Sequence, residues 1–223
     1  MSVTSTQIEL AARPVGDPKH SDFKIVKVEL PEIKEGEMLC RIIYQSLDPY
    51  MRGRMDDAKS YAVPVAIGSV MEAGCVAEVM ESKNARFQTG DIVNGRFGWR
   101  THIISDGAGV RKVNKDIAPI STSIGILGMP GMTAYVGLLD IGEPKEGETV
   151  VVSAASGAVG AVVGQIAKIK GCKVIGVAGS TEKCKYVRDE LGFDECISHY
   201  DEDLPMQLSD VCPNGIDVYF ENV

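Results

Sequence analysis

The 223-residue chain has no Cys-x-x-Cys pair, no block of lysines or arginines, no G-x-S-x-G and no apolar run of transmembrane length. Each absence removes a class of function. The six cysteines, Cys40, Cys75, Cys172, Cys184, Cys196 and Cys212, are dispersed, several of them inside apolar patterns. They read as reduced, buried thiols of a cytosolic protein, not as a disulfide framework. His20, His102 and His199 are scattered and do not combine with cysteines or carboxylates in a zinc-ligand pattern, so nothing suggests a metal centre. Without G-x-S-x-G there is no hydrolase nucleophile turn. A net charge of −8 with no basic cluster argues against nucleic acid or an anionic membrane as the main partner. No basic segment followed by an apolar one is visible in Met1-Ser-Val-Thr-Ser-Thr-Gln7, so no secretory signal is read and a cytoplasmic location is expected. No internal repeat and no low-complexity segment is present.

The first ~120 residues read mostly as short strands: Phe23–Leu30, Met38–Tyr44, Val70–Met80, Asp91–Asn94 and Trp99–Ile104, punctuated by Gly and Pro. Regular short strands suggest a barrel or sandwich-like domain. Asp48-Pro49 opens a short helix through Arg54, with proline in the first turn. The character changes near Ser121. Two helical stretches follow, then strand and helix alternate: Thr149–Ser153, Ala158–Lys170, Lys173–Val177, Thr181–Leu191, Glu195–Ile197, Leu204–Val211 and Ile216–Phe220. That rhythm predicts a doubly wound parallel sheet. It stops after a fourth strand, which leads us to expect a fragment with Ile216–Phe220 as an unpaired edge.

The most informative stretch runs from Thr149 to Lys168. A β-branched run ends in small residues, Gly157 and Gly160 sit three apart, and an apolar helical pattern follows. This is the strand, tight turn and helix N-terminus that binds a dinucleotide pyrophosphate. Gly157 lets the backbone approach a phosphate, and Gly160 lets the helix pack close on the strand. Ala155 stands where the first glycine of G-x-G-x-x-G is expected, which weakens the motif. The next strand ends Val177-Ala-Gly-Ser-Thr-Glu-Lys183. NAD binders place a carboxylate there for the ribose 2′-hydroxyl. Here Gly179 and Ser180 carry no charge and Lys183 follows one turn later, an arrangement that favours a 2′-phosphate and hence NADP(H). The alternative is that Thr181 only caps the helix and Lys183 is solvated.

Tyr44-Gln-Ser-Leu-Asp-Pro-Tyr-Met-Arg-Gly-Arg-Met55 groups two aromatics, two arginines and two methionines at a helix start, with Tyr61 just beyond. A tyrosine hydroxyl there can stabilise negative charge developing on a substrate carbonyl oxygen. The alternative is ordinary packing, with Arg52 and Arg54 paired to acids such as Asp56.

Together these pieces resemble the medium-chain dehydrogenase/reductase superfamily, in its zinc-independent branch of prostaglandin, 2-alkenal and curcumin reductases. The markers run over nearly the whole chain: Ser46-Leu-Asp-Pro-Tyr-Met-Arg52, Ser105-Asp-Gly107, Gly128-Met-Pro-Gly-Met-Thr-Ala-Tyr135, Ala154-Ala-Ser-Gly-Ala-Val-Gly160, Gly179-Ser-Thr-Glu-Lys183 and Asp217-Val-Tyr-Phe-Glu-Asn-Val223. The resemblance implies a GroES-like β-barrel domain over 1–121, lacking its C-terminal segment. An incomplete Rossmann doubly wound parallel sheet follows over 122–223, with the active site in the cleft between them. Zinc-binding relatives carry a Cys at Gln45 and Gly-His-Glu at Gly68-Ser-Val70, and a four-cysteine lobe missing here.

The resemblance further implies an NADP-dependent enzyme that transfers hydride to the β-carbon of an α,β-unsaturated aldehyde or ketone, after which the enolate is protonated. Gly157, Ala158, Val159 and Gly160 would hold the pyrophosphate, and Gly179, Ser180 and Lys183 the 2′-phosphate. Thr133 and Asn222 would lie near the nicotinamide ribose or ring, and His199 or Tyr200 near the adenosine. Tyr61 would contact the substrate carbonyl, with Tyr50 nearby. The partner is a small molecule, and relatives form homodimers. Two alternatives stay open: a quinone oxidoreductase of the same superfamily, and a non-catalytic NADP-binding protein.

Overall fold

The computed structural model describes residues 2–60 and 62–223. The chain divides into two compact units, Met1–Ile124 and Gly125–Val223.

The first unit is antiparallel. β1 (Val3–Leu10) and β2 (Phe23–Leu30) pair over their full length. β3 (Met38–Gln45) leads into helix α1 (Tyr50–Arg54). β4 (Gly74–Ser82), β5 (Ile92–Arg96), β6 (His102–Ser105) and β7 (Arg111–Lys112) complete a five-stranded sheet with β3, in the order β6-β3-β4-β5-β7. Its core is Met38, Cys40, Met51, Cys75, Ala77, Val79, Phe87, Val93, Phe97 and Val110. Burial pushes the Cys40 and Cys75 thiols up to about 11, so both stay protonated at neutral pH.

The periodicity did not mark β1, and the structure explains why. The two residues of this strand's inner side that sit deepest before Leu10 are Ser5 and Gln7, both polar and both buried. Ser5 Oγ donates to the His102 carbonyl at 2.7 Å. Hydrogen bonds replace the apolar alternation by which a strand is read. A second difference lies at 99–104. Only His102–Ser105 joins the sheet, because Trp99 is taken up elsewhere. Its carbonyl accepts from Ile8 N at 2.9 Å and its N–H donates to the Met71 carbonyl at 2.8 Å. Likewise β4 begins at Gly74, while Val70 forms an isolated bridge to Glu9.

The second unit alternates strand and helix. α2 (Met129–Tyr135) continues into a π-helical stretch, Val136–Gly142. Then come β8 (Thr149–Val152), α3 (Gly160–Ile169), β9 (Lys173–Ala178), α4 (Thr181–Asp189), β10 (Glu195–Ser198), α5 (Leu204–Val211) and β11 (Val218–Phe220). The strands are all parallel in the order β10-β9-β8-β11. The chain steps outward twice from β8 and then returns to its other side. This is the Rossmann order, with its switch point between β8 and β11. Val150, Val151 and Val152 are all fully buried because helices cover both faces. Val150 and Val152 pack with Val163 and Ala167 of α3 and Val187 of α4, whereas Val151 packs on the other side with Leu204 and Leu208 of α5.

Close packing of α3 depends on Gly164, where an added Cβ would lie 1.8 Å from Phe193 Cζ. Gly164→Ala is expected to lose about 1–3 kcal/mol of stability through overpacking, read as a lower urea midpoint. Asp194 ties α3 to β9: its carboxylate accepts from Lys168 Nζ at 2.7 and 2.8 Å and from Val174 N at 2.6 Å. Burial pushes this carboxyl up, but the Lys168 ammonium and the Val174 N–H outweigh it and hold it below its ordinary value. A carboxylate depressed in the folded state stabilises above its unfolded pKa and loses that contribution as pH falls through the folded one. Asp194→Asn should therefore melt below the wild type at pH 7, and the gap should close in acid, at a pH below the ordinary carboxylate range.

Candidate functional site

The turn after β8 is built from close contacts. Ser153 is buried, and Ala154 takes the left-handed conformation with φ 44°. Gly157 N donates to the Ala154 carbonyl at 2.8 Å and closes the turn. A Cβ at Gly160 would sit 2.4 Å from that same carbonyl oxygen and 3.0 Å from Ala155 Cα, so the first residue of α3 must be glycine. A Cβ at Gly157 would lie 3.1 Å from it. Ala158 and Val159 lie between the two glycines, and α3 starts at Gly160 instead of Ala158, because residues 154–159 are used by the turn. Val159 is the N-cap and offers no side-chain acceptor; Ala161 N donates to the Gly157 carbonyl at 2.9 Å and Val162 and Val163 N to the Val159 carbonyl at 3.0 Å, so what α3 presents beyond the carboxyl end of β8 is the positive end of its dipole. Such an end attracts anions.

The substitution that weakens the motif is compensated across the sheet. Ala155 is fully buried and its N–H donates to the Val177 carbonyl at 3.0 Å. On the neighbouring strand stands Gly176, where an added Cβ would lie 2.9 Å from the Ala155 Cβ. The glycine missing from the turn is in effect moved to β9.

At the carboxyl end of β9, Gly179 is flanked by both predicted aromatic residues. A Cβ there would meet His199 Cε1 at 3.3 Å and Tyr200 Cε2 at 3.5 Å. The two rings lie 4.3 Å apart, centroid to centroid. Ser180, not Thr181, is the N-cap of α4, and its Oγ accepts from Lys183 N at 3.3 Å. Capping uses an acceptor lone pair, so the Ser180 hydroxyl retains its proton for donation. Glu182, which the sequence did not single out, folds back on the same turn. Its own N–H and the Ser180 side chain hold its carboxyl below the ordinary value. Among the described residues no ion pair engages Lys183.

Asn222 follows β11, across the switch point. Its backbone N donates to Ser153 Oγ at 2.9 Å, and its Nδ2 donates to the Ser153 carbonyl. Ser153 Oγ in turn donates to Glu221 Oε1 at 2.8 Å. Neither Ser153 nor Glu221 was singled out from the sequence. A small polar residue closing the valine run of β8 is the one signal that would have pointed to Ser153. Thr133, on α2, is turned back on its own helix, with Oγ1 donating to the Met129 carbonyl at 2.9 Å. No hydrogen bond joins it to the glycine turn or to Asn222.

In the first unit, α1 presents Tyr50, half-buried against the core. Burial, then the charges of Glu72 and Asp48, push its phenol up, against an Arg96 hydrogen bond that lowers it. Arginine can only donate, so Arg96 makes no claim on the Tyr50 proton. Arg96 and Glu72 lie far from Tyr50 in sequence, which is why they were not grouped with it. Arg52 has a packing role: it pairs with Asp56 at 2.6 Å and donates to the Gly16 carbonyl at 2.9 Å. Arg54 pairs with Glu72. Tyr61 lies outside the described residues. Among the described residues no group of His, Cys, Asp or Glu is arranged to hold a metal ion, and no helix is long and apolar enough to cross a membrane.

A GroES-like antiparallel unit followed by a parallel sheet in Rossmann order, with a glycine turn after its first strand, defines a medium-chain dehydrogenase/reductase. The chain belongs to this family: residues 6–113 match the N-terminal domain of oxidoreductase, and residues 158–223 match the domain described as zinc-binding dehydrogenase. Its relatives within the family are named as NADP-dependent oxidoreductases, curcumin reductases, prostaglandin reductases and 2-alkenal reductases. It is 51% identical to the putative NADP-dependent oxidoreductase YfmJ of Bacillus subtilis, over 100% of this chain and 66% of that protein. It is 52% identical to the NADPH-dependent curcumin reductase of Escherichia coli, over 96% of this chain and 62% of that protein. The crystal structure of CurA from Vibrio vulnificus in complex with NADPH superposes with a TM-score of 0.94 at 55% identity, covering 98% of this chain and 65% of that one. The chain thus spans somewhat less than two thirds of the length of these relatives.

The left-handed Ala154 carries a steric cost that glycine would not. Ala154→Gly is expected to raise stability by up to about 1 kcal/mol, the relief of strain exceeding the entropy cost of glycine, and urea denaturation measures it.

Proposed function

We propose that the chain serves an NADPH-dependent reductase acting, without zinc, on the C=C bond of α,β-unsaturated aldehydes and ketones. The observation that carries the proposal is the carboxyl edge of the parallel sheet. The glycine turn, the Gly179–Lys183 turn and Asn222 follow β8, β9 and β11 in succession, which is where open α/β sheets take their ligands. The residues fit NADPH. The glycine turn leaves the positive end of α3 open to a pyrophosphate, and Gly157, Ala158, Val159 and Gly160 would hold it. His199 and Tyr200, which close over Gly179, would flank the adenosine. Ser180 and Lys183 would bind the 2′-phosphate, with the exposed Glu182 side chain swinging away from the Ser180 hydroxyl. Thr133 and Asn222 would meet the nicotinamide end.

Bound NADPH supplies the hydride. The chain's residues orient, exclude and stabilise. Tyr50 would donate a hydrogen bond to the substrate carbonyl oxygen, its phenol kept protonated by burial and by the charges of Glu72 and Asp48. Tyr61 would act at the same oxygen. A charge developing there is neutralised by hydrogen bonding alone, without a metal. The names of the relatives support the substrate class: curcumin, prostaglandin and 2-alkenal reductases at 45–52% identity.

Lys183→Ala should weaken NADPH binding by roughly ten- to hundredfold, the worth of a charged hydrogen bond, and leave NADH binding unchanged. Fluorescence titration reads both. Consumption of NADPH with 2-nonenal, followed by absorbance, tests the reaction. Binding with no turnover of any enone would overturn the enzymatic half of the proposal, and equal affinity for NADH and NADPH would overturn the cofactor preference.

A further inference from the structure

Asn222 is held in one orientation, and the device that holds it reaches beyond the residues assigned to the cofactor. The carboxylate of Glu221 is clamped by three donors. Tyr219 Oη donates to Oε2 at 2.8 Å, while Ser153 Oγ and Val223 N each donate to Oε1 at 2.8 Å. These bonds hold the residues on both sides of Asn222 to the end of β8. Ser153 Oγ, having donated to Glu221, accepts the Asn222 backbone N–H at 2.9 Å. The Asn222 side chain then meets the Ser153 carbonyl. A carbonyl oxygen only accepts, so the atom facing it must be Nδ2, which settles the orientation of the amide. The second Nδ2 hydrogen faces Ser153 Oγ at 3.5 Å, so both amide donors turn to Ser153, and Oδ1, which can only accept, is the function left to a ligand.

We propose that Glu221 and Ser153 are positioning residues that lock Asn222 as a hydrogen-bond acceptor at the β8–β11 switch point. This rests on the cofactor assignment made above. The group that suits a lone acceptor is a donor on the nicotinamide half of NADPH, the carboxamide NH₂ or a ribose hydroxyl. The adenosine half has no part in it, since it is assigned to the end of β9. The network selects for that half of the molecule because a donor-poor ligand finds nothing to bond there. It also rigidifies the end of β11, so Asn222 pays its ordering cost before binding.

Two ligands separate this role from a structural one. NADPH carries both halves of the cofactor, whereas 2′,5′-ADP carries only the adenosine half with its 2′-phosphate. Ser153→Ala and Glu221→Gln are expected to weaken NADPH binding about tenfold and to leave 2′,5′-ADP binding at the wild-type value, both measured by calorimetry on the whole chain. An equal loss for the two ligands would mean that the network only supports the fold, and an unchanged NADPH affinity would mean that Asn222 is not held by it; either overturns the proposal. If the wild-type chain binds neither ligand, the cofactor assignment itself fails and the proposal falls with it. If it binds 2′,5′-ADP and the variants bind NADPH normally, the cofactor assignment stands and only the positioning role is lost.

Discussion

The closeness of α3 to the end of β8 governs the second unit. The Ala154 carbonyl oxygen lies where the Cβ of any residue but glycine at 160 would need to be, and the same oxygen closes the turn through Gly157 N. From this one contact follow the left-handed Ala154, the start of α3 at Gly160 and the direction in which its N-terminus points. Further along α3, Gly164 lets the helix settle on Phe193. A helix standing further off would still cover the sheet, but its N-terminus would no longer be aimed by the strand.

Neighbouring strands absorb the consequences. Ala155 in place of glycine is accommodated because Gly176 faces it from β9. At the end of β9, His199 and Tyr200 from beyond β10 lie against Gly179. At the other side of β8, Ser153 links the turn to the end of β11 through Glu221 and Asn222. Three strand ends are thereby coupled by sterics on one side and hydrogen bonds on the other. This is the usual division: apolar packing beneath the sheet edge, polar groups above it where a ligand arrives.

Much of this was legible before any coordinates. The valine run of β8 is continuous because a parallel strand is buried on both faces, and such runs are easily read. The alternation of β2 and the proline-led α1 were equally plain. β1 was not, because its inward residues are Ser5 and Gln7 and its burial is satisfied by hydrogen bonds. The start of β6 was misplaced because Trp99 bonds to residues from far earlier in the chain, which local pattern cannot register. Of the site, the glycines and Lys183 were visible as local motifs. Ser153, Glu221, Arg96 and Glu72 were not, since each acquires its role from a partner distant in sequence.

The sequence by itself determined the two-part organisation, the parallel sheet with its glycine turn, and the chemical types at the ends of β8 and β9. These depend on local periodicity and on the steric needs of single residues, which travel with the chain. Only the tertiary structure decided that Gly176 answers Ala155, that Ser180 and not Thr181 caps α4, that His199 and Tyr200 both flank Gly179, and which way the Asn222 amide faces. Those outcomes are set by contacts across strands, where geometry brings together residues that no spacing rule connects.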